Sequence, residues 1–486
     1  YTGAVAYTVE DKLAQTVSVK DFGAVGDGVA DDTAAIEAAM AAAARVYFPS
    51  GTYYIGNSTI EVPTNAFLYG DGESSVILAD ATTRTDPKTD NIFNLYSSYV
   101  TIRDLKIDGD RPNAVQEISS IYVDQGASDC LIENVSFKDH GCGVWMVHCD
   151  RISVVDCKFE DGSYSKGHIV AEGSVPGSGL TNYATNILVT GNYFGESADP
   201  LPGENNEVID IGSDSDCFDI IVSNNRADGA GYPEAFVYVK QGSQRVTIEN
   251  NVVVDLQTVT RNGFDGVGFA HIANAQYVNV IGNTITNAWR LAIVHERSSS
   301  VQAKYINIVG NSISGVVEEG LRFDICTSPI SYVNVDGNTI ATSSSTTYGI
   351  WGLECVDLNI SNNIITGFGG RGIMLAAAID KFAVVGNEIN GCNIGIYAAT
   401  GYGIINGNTV VDSVEEGIVS AGVANVISGN MVTGSGTDGI ALNASDKNAV
   451  TGNVCTANGN YGLRVVASSA DVAVVGNMLL GNTTGS

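Results

Sequence analysis

One recurring motif constrains this chain more than any other feature. From about residue 185 a short apolar stretch runs into Gly-Asn or Asn-Asn and then into another apolar position. It reads LVTGNYF at Asn192, IVSNNRA at Asn225, TIENNVV at Asn251, VIGNTI at Asn283, IVGNSI at Asn311 and VDGNTI at Asn338. ISNNII at Asn363 and VGNEI at Asn387 follow, with the last copies at Asn408, Asn430, Asn453 and Asn477. The spacing falls from 33 residues between Asn192 and Asn225 to 21 between Asn387 and Asn408. A second strand-like pattern lies between these asparagines: YGIWGLE, RGIMLAA, IGIYAAT, EGIVSAG, DGIALNA and YGLRVVA, with fainter forms such as GVWMVHC, AFVYVKQ and LAIVHER before them. Each copy offers two or three short strands rich in β-branched residues, separated by Gly, Asn and Asp turns. A unit this small cannot bury its apolar face alone, so the copies must stack. Coils of roughly 22–26 residues stacked at strand spacing predict an all-β fold, a right-handed parallel β-helix. The asparagines are expected at one turn of each coil, hydrogen-bonded along the stack as structural residues.

A solenoid leaves open ends that must be covered. Residues 32–44, DTAAIEAAMAAAA, are strong helix formers with Asp32 placed as N-cap, and this helix is expected to close the N-terminal mouth. RVYFPSGTYYI then reads as strand, turn, strand. The organisation expected is an opening segment with a capping helix over 1–45 and a β-helix over 46–486. At the other end the chain stops at GNTTGS, one turn past a repeat, where another chain or a further segment is expected to cover the coil.

Composition narrows the function classes. Twenty-four Lys+Arg against 54 Asp+Glu give a net charge of −30, which excludes a binder of nucleic-acid phosphates. No apolar run approaches 18 residues, so no membrane-spanning helix is expected. The first residue is Tyr1 rather than Met, read as a processed or trimmed start. Nine cysteines contain no CxxC pair and read as small apolar core residues in the reduced state.

The segment from Thr2 to Ile36, TGAVAYTVEDKLAQTVSVKDFGAVGDGVADDTAAI, resembles the start of bacteriophage tailspike and tail-fibre depolymerases in the pectate-lyase-3-like β-helix superfamily. VKDFGAVGDGVADDTAAI is the part shared by many β-helix glycan enzymes, and GAVAYTVEDKLAQTVSV is more particular to phage tail proteins. The resemblance implies a β-helix, a homotrimer in an extracellular virion tail, and action on a bacterial capsular or exopolysaccharide. It supplies no catalytic residues: the DPHE motif of mannuronan epimerases and the polygalacturonase set are absent from the sequence. Asp27, Asp31 and Asp32 within this segment read as turn and cap residues rather than a calcium loop.

Charge distribution points to a working region. Seventeen of the 24 Lys+Arg and all five His fall between residues 84 and 322, with only Arg371, Lys381, Lys447 and Arg464 beyond. The same coils carry long insertions, at 161–185 and 196–207, and loops on a rigid scaffold often carry function. The functional coils are therefore expected at about 120–325. Strand alternation, with the apolar residue of each Gly-Ile-like pair turned inward, gives an outward row of Tyr122, Trp145, Asp210, Val237, Gly268, Val294, Arg322 and Trp351. A second row holds Asp124, Val147, Gly212, Val239, Ala270, Glu296 and Asp324, with Lys240, His271, His148 and Arg297 near the strand ends. The small residues at 212, 268 and 270 are expected to leave a trough with aromatic edges, which suits stacking of sugar rings; the other reading packs Trp145 or Tyr122 under an insertion.

Two chemistries fit these residues. Endo-glycoside hydrolysis needs two carboxyls flanking the bond, for which Glu296 and Asp324 on adjacent coils are the first candidates, with Arg297 and Arg322 beside them. Asp210, with Glu207, Asp214, Asp216 and Asp219, forms a second acidic cluster, also readable as turn residues or a calcium site. β-Elimination on a uronate glycan needs instead a base and a cation that neutralises the carboxylate; His271, His295, Lys240, Arg322 and Tyr238 offer these. Hydrolysis is the first expectation, because a uronate polymer must approach a strongly acidic protein. A non-catalytic glycan-binding adhesin is the third reading. No redox or nucleotide cofactor is implied.

Overall fold

The computed structural model describes residues 8–13, 15–80, 82, 84, 90–110, 119–162, 167–173, 183–195, 207–212, 216–229, 235–240, 242–256, 268–295, 302–324, 329–342, 347–466 and 468–484. It is a right-handed parallel β-solenoid, as the repeat predicts, and divides into two compact units, Tyr1–Pro233 and Glu234–Ser486.

In the first unit a short helix, Val9–Leu13, and a 3-10 turn, Val19–Phe22, precede the helix Thr33–Ala42. Its apolar residues Ile36, Ala39 and Met40 are buried, and the helix caps the solenoid. Asp32 does occupy the N-cap position, but its carboxylate makes no capping hydrogen bond. It accepts instead from the backbone N–H groups of Val25 (2.6 Å) and Gly26 (3.0 Å), tying the preceding loop to the helix start. Asp31 accepts from Thr33 N–H, and Asp27 from Val29 and Ala30 N–H. These are the turn roles expected of them. The expected strand pair is Arg45–Phe48 and Gly51–Tyr54.

Successive coils then supply three strands each. Cys142–Val147, Asp150–Val155 and Lys158–Glu160 form one coil; Ile169–Glu172, Ala184–Thr190 and Tyr193–Phe194 form the next. Pairing is parallel and in register, with Val144 opposite Ile169, Val154 opposite Val189 and Phe159 opposite Phe194. Inside, Phe137, Phe159 and Phe194 stack at centroid distances of 4.7 and 5.0 Å. The second unit repeats the plan, for example as Leu321–Phe323, Ile330–Asp336 and Thr339–Ala341, then Ile350–Gly352, Cys355–Ser361 and Ile364–Thr366.

The Gly-Asn and Asn-Asn motif has a direct backbone cause. The residue before each repeat asparagine sits in the left-handed region, at φ 63–66° for Gly282, Gly310, Gly337, Gly386, Gly407, Gly429, Gly452 and Gly476. Where Gly is absent, Asn224, Asn250 and Asn362 hold φ 55°. Glycine enters this region freely and asparagine tolerates it, whereas most side chains clash there. The asparagine that follows then locks one coil to the next. Asn338 Oδ1 accepts from both the backbone N–H and Nδ2 of Asn311 at 2.9 Å, while Asn338 Nδ2 donates to Asn363 Oδ1 and to Ile308 O. The same pattern runs from Asn251 to Asn477 in the second unit, and Asn192 with Asn225 shows it in the first. In earlier coils Asp156 and Asn134 keep the left-handed turn, but Cys157 and Val135 follow them in place of asparagine. The motif is therefore fainter there although the coil is the same.

Eight cysteines are buried and free, as expected of core thiols; Cys326 lies outside the described residues. Burial pushes the thiol up to about 12 in Cys157 and Cys455 and to about 11 in Cys392. No described helix is long and apolar enough to cross a membrane.

Candidate functional site

In the first unit the register places Glu61, Asn94, Tyr122, Trp145, Val170 and Asp210 in one outward row, as strand alternation predicts for Tyr122, Trp145 and Asp210. The expected open trough is not there. Trp145 is 2% exposed, Tyr122 5% and Asp210 2%. The aromatics bury one another: Tyr122 lies edge-on to Trp145 at 5.5 Å and Tyr96 edge-on to Tyr122 at 6.2 Å, with Cys142, Val147 and Val170 completing the cluster. Trp145 and Tyr122 are thus packed rather than presented as bare platforms, and removing rings of this size from water is favourable.

At the edge of this cluster, three polar residues from two coils meet. Asp124 Oδ2 accepts from the Tyr122 phenol at 3.0 Å, and Asp124 Oδ1 pairs with His148 Nδ1 at 2.8 Å. Gln125 N–H adds a third bond at 2.6 Å. His148 itself is left-handed, with φ 44°. Burial, followed by the charge of Asp124, pushes the Tyr122 phenol well above its ordinary value, and Tyr96 rises through burial and then the charges of Glu61 and Asp124. Glu172, buried on the next coil, lies two positions along from the residue paired with Asp210, so the two carboxylates are diagonal neighbours on one face. Sequence reasoning names Asp124 and His148 separately but not as a pair, and passes over Glu172. The repeat period puts residues about 24 apart on neighbouring coils, but it does not say that these two side chains meet.

In the second unit the outward row is Tyr238, His271, Ile293, Arg322 and Trp351. Val237, Gly268 and Val294, expected to face outward, do not. Val237 and Val294 belong to the buried interior, as do Val239 and Ala270. The expected alternation is off by one residue on these three strands, and a one-residue slip exchanges the two faces of a strand. Gly268 opens no trough either: a Cβ there would meet the Arg290 backbone, which a φ of 100° allows to approach.

The corrected register gathers several of the predicted residues. Tyr238 stacks on His271 at 3.7 Å with planes 8° apart, and His271 stacks on His295 at 4.5 Å. His271 Nε2 contacts His295 Nε2. Lys240 Nζ lies 4.3 Å from the Tyr238 ring centroid, the geometry of a cation–π contact. Ala273 pairs with His295, and Lys240 stands one coil before Ala273 on the same row. Lys240 and His295 are therefore two strand spacings apart, about 9–10 Å, across a small alanine. Tyr238 and His271 are buried, Lys240 is 9% exposed, and His295 reaches the surface in part. Arg322 pairs with Asp324 (Nη2 to Oδ2, 3.1 Å) and lies 4.9 Å over the Trp351 ring. Asp324 thus enters an ion pair. Glu296 and Arg297 lie outside the described residues, as does Asp214 of the second acidic cluster. Among the described residues no group of three or more His, Cys, Asp or Glu is arranged to hold a metal ion.

Fold and surface together define a pectate-lyase-type β-helix protein. The family model for "Rhamnogalacturonase A/epimerase, pectate lyase-like" matches residues 16–322, well over half of the sequence, and the chain belongs to that family. A right-handed β-helix model also matches residues 265–430. Mannuronan C5-epimerase AlgE5 of Azotobacter vinelandii is 24% identical over 270 residues, covering 51% of this chain and 25% of the epimerase. The pre-neck appendage protein of Bacillus phage B103 is 28% identical over 272 residues, covering 53% of this chain and 28% of that protein. The chain thus spans about a quarter of the length of these relatives. Among solved structures, PfbA, a surface adhesin of Streptococcus pneumoniae, shares the fold with a TM-score of 0.52 at 18% identity, over 76% of this chain and 91% of that one.

Proposed function

We propose that the protein is a carbohydrate-active enzyme acting on a uronate-containing polysaccharide by β-elimination. The observation that carries this is the column of Lys240, Tyr238, His271 and His295 on three neighbouring coils of the second unit. Membership of an epimerase and pectate-lyase-like family and likeness to a mannuronan epimerase support it better than they support hydrolysis. So does the engagement of Asp324 with Arg322, which weakens the hydrolytic pair of Glu296 and Asp324.

The proposed steps follow from the groups present. A uronate ring over Ala273 sets its carboxylate against the Lys240 ammonium, which neutralises it and makes the neighbouring C5–H acidic. His271 stacks beneath His295 and holds its ring in place. His295, the partly exposed member, takes the C5 proton. The electron pair forms the C4=C5 double bond as the C4–O bond breaks, and the Tyr238 phenol protonates the departing oxygen. Return of a proton to the opposite face of C5 instead of elimination would give epimerisation. An extracellular homotrimer in a phage tail, bound to a bacterial surface polysaccharide, belongs to the same proposal; sedimentation mass tests the trimer.

The test is a panel of purified bacterial polysaccharides, with reducing ends and unsaturated-uronate absorbance followed together. Both signals are expected to rise, and Lys240→Met or His295→Gln is expected to lower the rate by about 10²–10⁴-fold. Reducing ends without absorbance would replace elimination by hydrolysis. Polymer bound and left intact would make the protein an adhesin.

A further inference from the structure

We infer that the first unit carries a second ligand site, in which His148 Nε2 accepts a hydrogen bond from a hydroxyl of a neutral saccharide. It stands apart from the uronate reading and uses none of its residues.

The geometry fixes the chemistry of the ring. An ionised carboxylate can only accept, and Asp124 is engaged by three groups: His148 Nδ1, the Tyr122 hydroxyl and Gln125 N–H. The His148 proton therefore sits on Nδ1, and in the neutral ring Nε2 presents a bare lone pair. That Nε2 is buried and has no hydrogen-bond partner, on a residue 8% exposed. A buried acceptor left unmade is unfavourable, and the orienting network does nothing to relieve it. The backbone adds to the cost, since a bulky residue is held left-handed at position 148. Carboxylate, phenol and strained histidine together aim one acceptor that nothing in the protein uses.

The surroundings select the donor. Tyr96 is half-buried and lies beside Tyr122, offering an apolar ring face of the kind on which a pyranose stacks. Among the described residues, the acids that face solvent beside Tyr96 are Glu61 and Asp124. These two carboxylates disfavour a uronate and accept from hydroxyls, so the ligand is a neutral, hydroxyl-rich sugar.

The test uses the full chain labelled with ¹⁵N, whose five histidines give a short list of ring signals. Cellohexaose is titrated as the neutral probe and hexamannuronate as the anionic one. The His148 Nε2 resonance is expected to move saturably with cellohexaose and to stay still with hexamannuronate. Affinity should fall about tenfold in Asp124→Asn and in His148→Gln, one hydrogen bond's worth. Tyr122→Phe, which removes a single oxygen, should weaken binding less and serves if the other variants misfold. A still Nε2 resonance with both probes, as a trapped water would give, overturns the site. So does unchanged affinity in a folded His148→Gln, or a shift with hexamannuronate alone. The neutral probe has no carboxylate, so the outcome is independent of whether uronates are cleaved.

Discussion

At position 337 and its equivalents the backbone, not the side chain, decides which residues the sequence can use. Gly337 holds φ 64°, and a Cβ placed there would find its nearest neighbour, Gly310 N, at 4.0 Å. Space is available, so any penalty is conformational. Gly337→Asn should therefore be nearly neutral, since Asn362 occupies the next equivalent position at φ 55°. Gly337→Val should cost about 1–2 kcal/mol or more, as left-handed backbone does for a branched residue. Urea unfolding of the two variants separates the cases. Titration at the single-residue level is also predictable. Hydrogen bonds from Arg151, then Ser128, hold the Asp129 carboxyl down at about 2. A depressed acid stabilises the fold above its unfolded value of 3.8 and loses that contribution as pH falls through about 2. The pair is exposed and its share of stability is small, so the observable is the titration itself. Arg151→Ala should raise the Asp129 midpoint towards 3.8, read by carboxyl NMR.

Among the elements, the asparagine ladder and the strand rows behave differently. Asn338→Ala would strip the acceptor from Asn311 N–H and Nδ2 and the donor from Ile308 O, all buried. A loss of about 2–5 kcal/mol is expected, several unmade bonds at once. Asn477→Ala, at a partly buried rung, should cost less because water can replace the lost partner. A similar loss at both positions in denaturant unfolding would count against a ladder stabilised by burial. The ladder was legible because a turn needing a left-handed residue before a buried amide leaves a two-letter signature. Strand faces were less legible. Tyr122, Trp145 and Asp210 were placed on the correct side, but Val237 and Val294 were turned outward in place of Tyr238 and Ile293. Strands whose two faces are both buried, such as Ala235–Val239 and Gly268–Ala273, carry little alternation to read.

For the whole molecule, the net charge of −30 sets the terms on which a substrate arrives. If the substrate is a polyuronate, like charges repel at long range while the Lys240 contact acts locally. Turnover at low substrate should then rise as salt increases from low ionic strength to about 0.15 M, where the screening length falls to about 8 Å. A fall over that range would mean that attraction, not repulsion, governs encounter. The sequence by itself determined the solenoid, its right-handed coil, the capping helix and the structural role of the asparagines. Each of these follows from local backbone demands repeated at a fixed period, which a linear pattern can express. It also named Lys240, Tyr238, His271 and His295 as chemistry-bearing residues. Only the tertiary structure decided which of them meet, that Trp145 and Tyr122 bury each other, and that Asp124 joins Tyr122 to His148. Those contacts join residues on separate coils, so they depend on the register between coils, a quantity set by packing and not by neighbours in the chain.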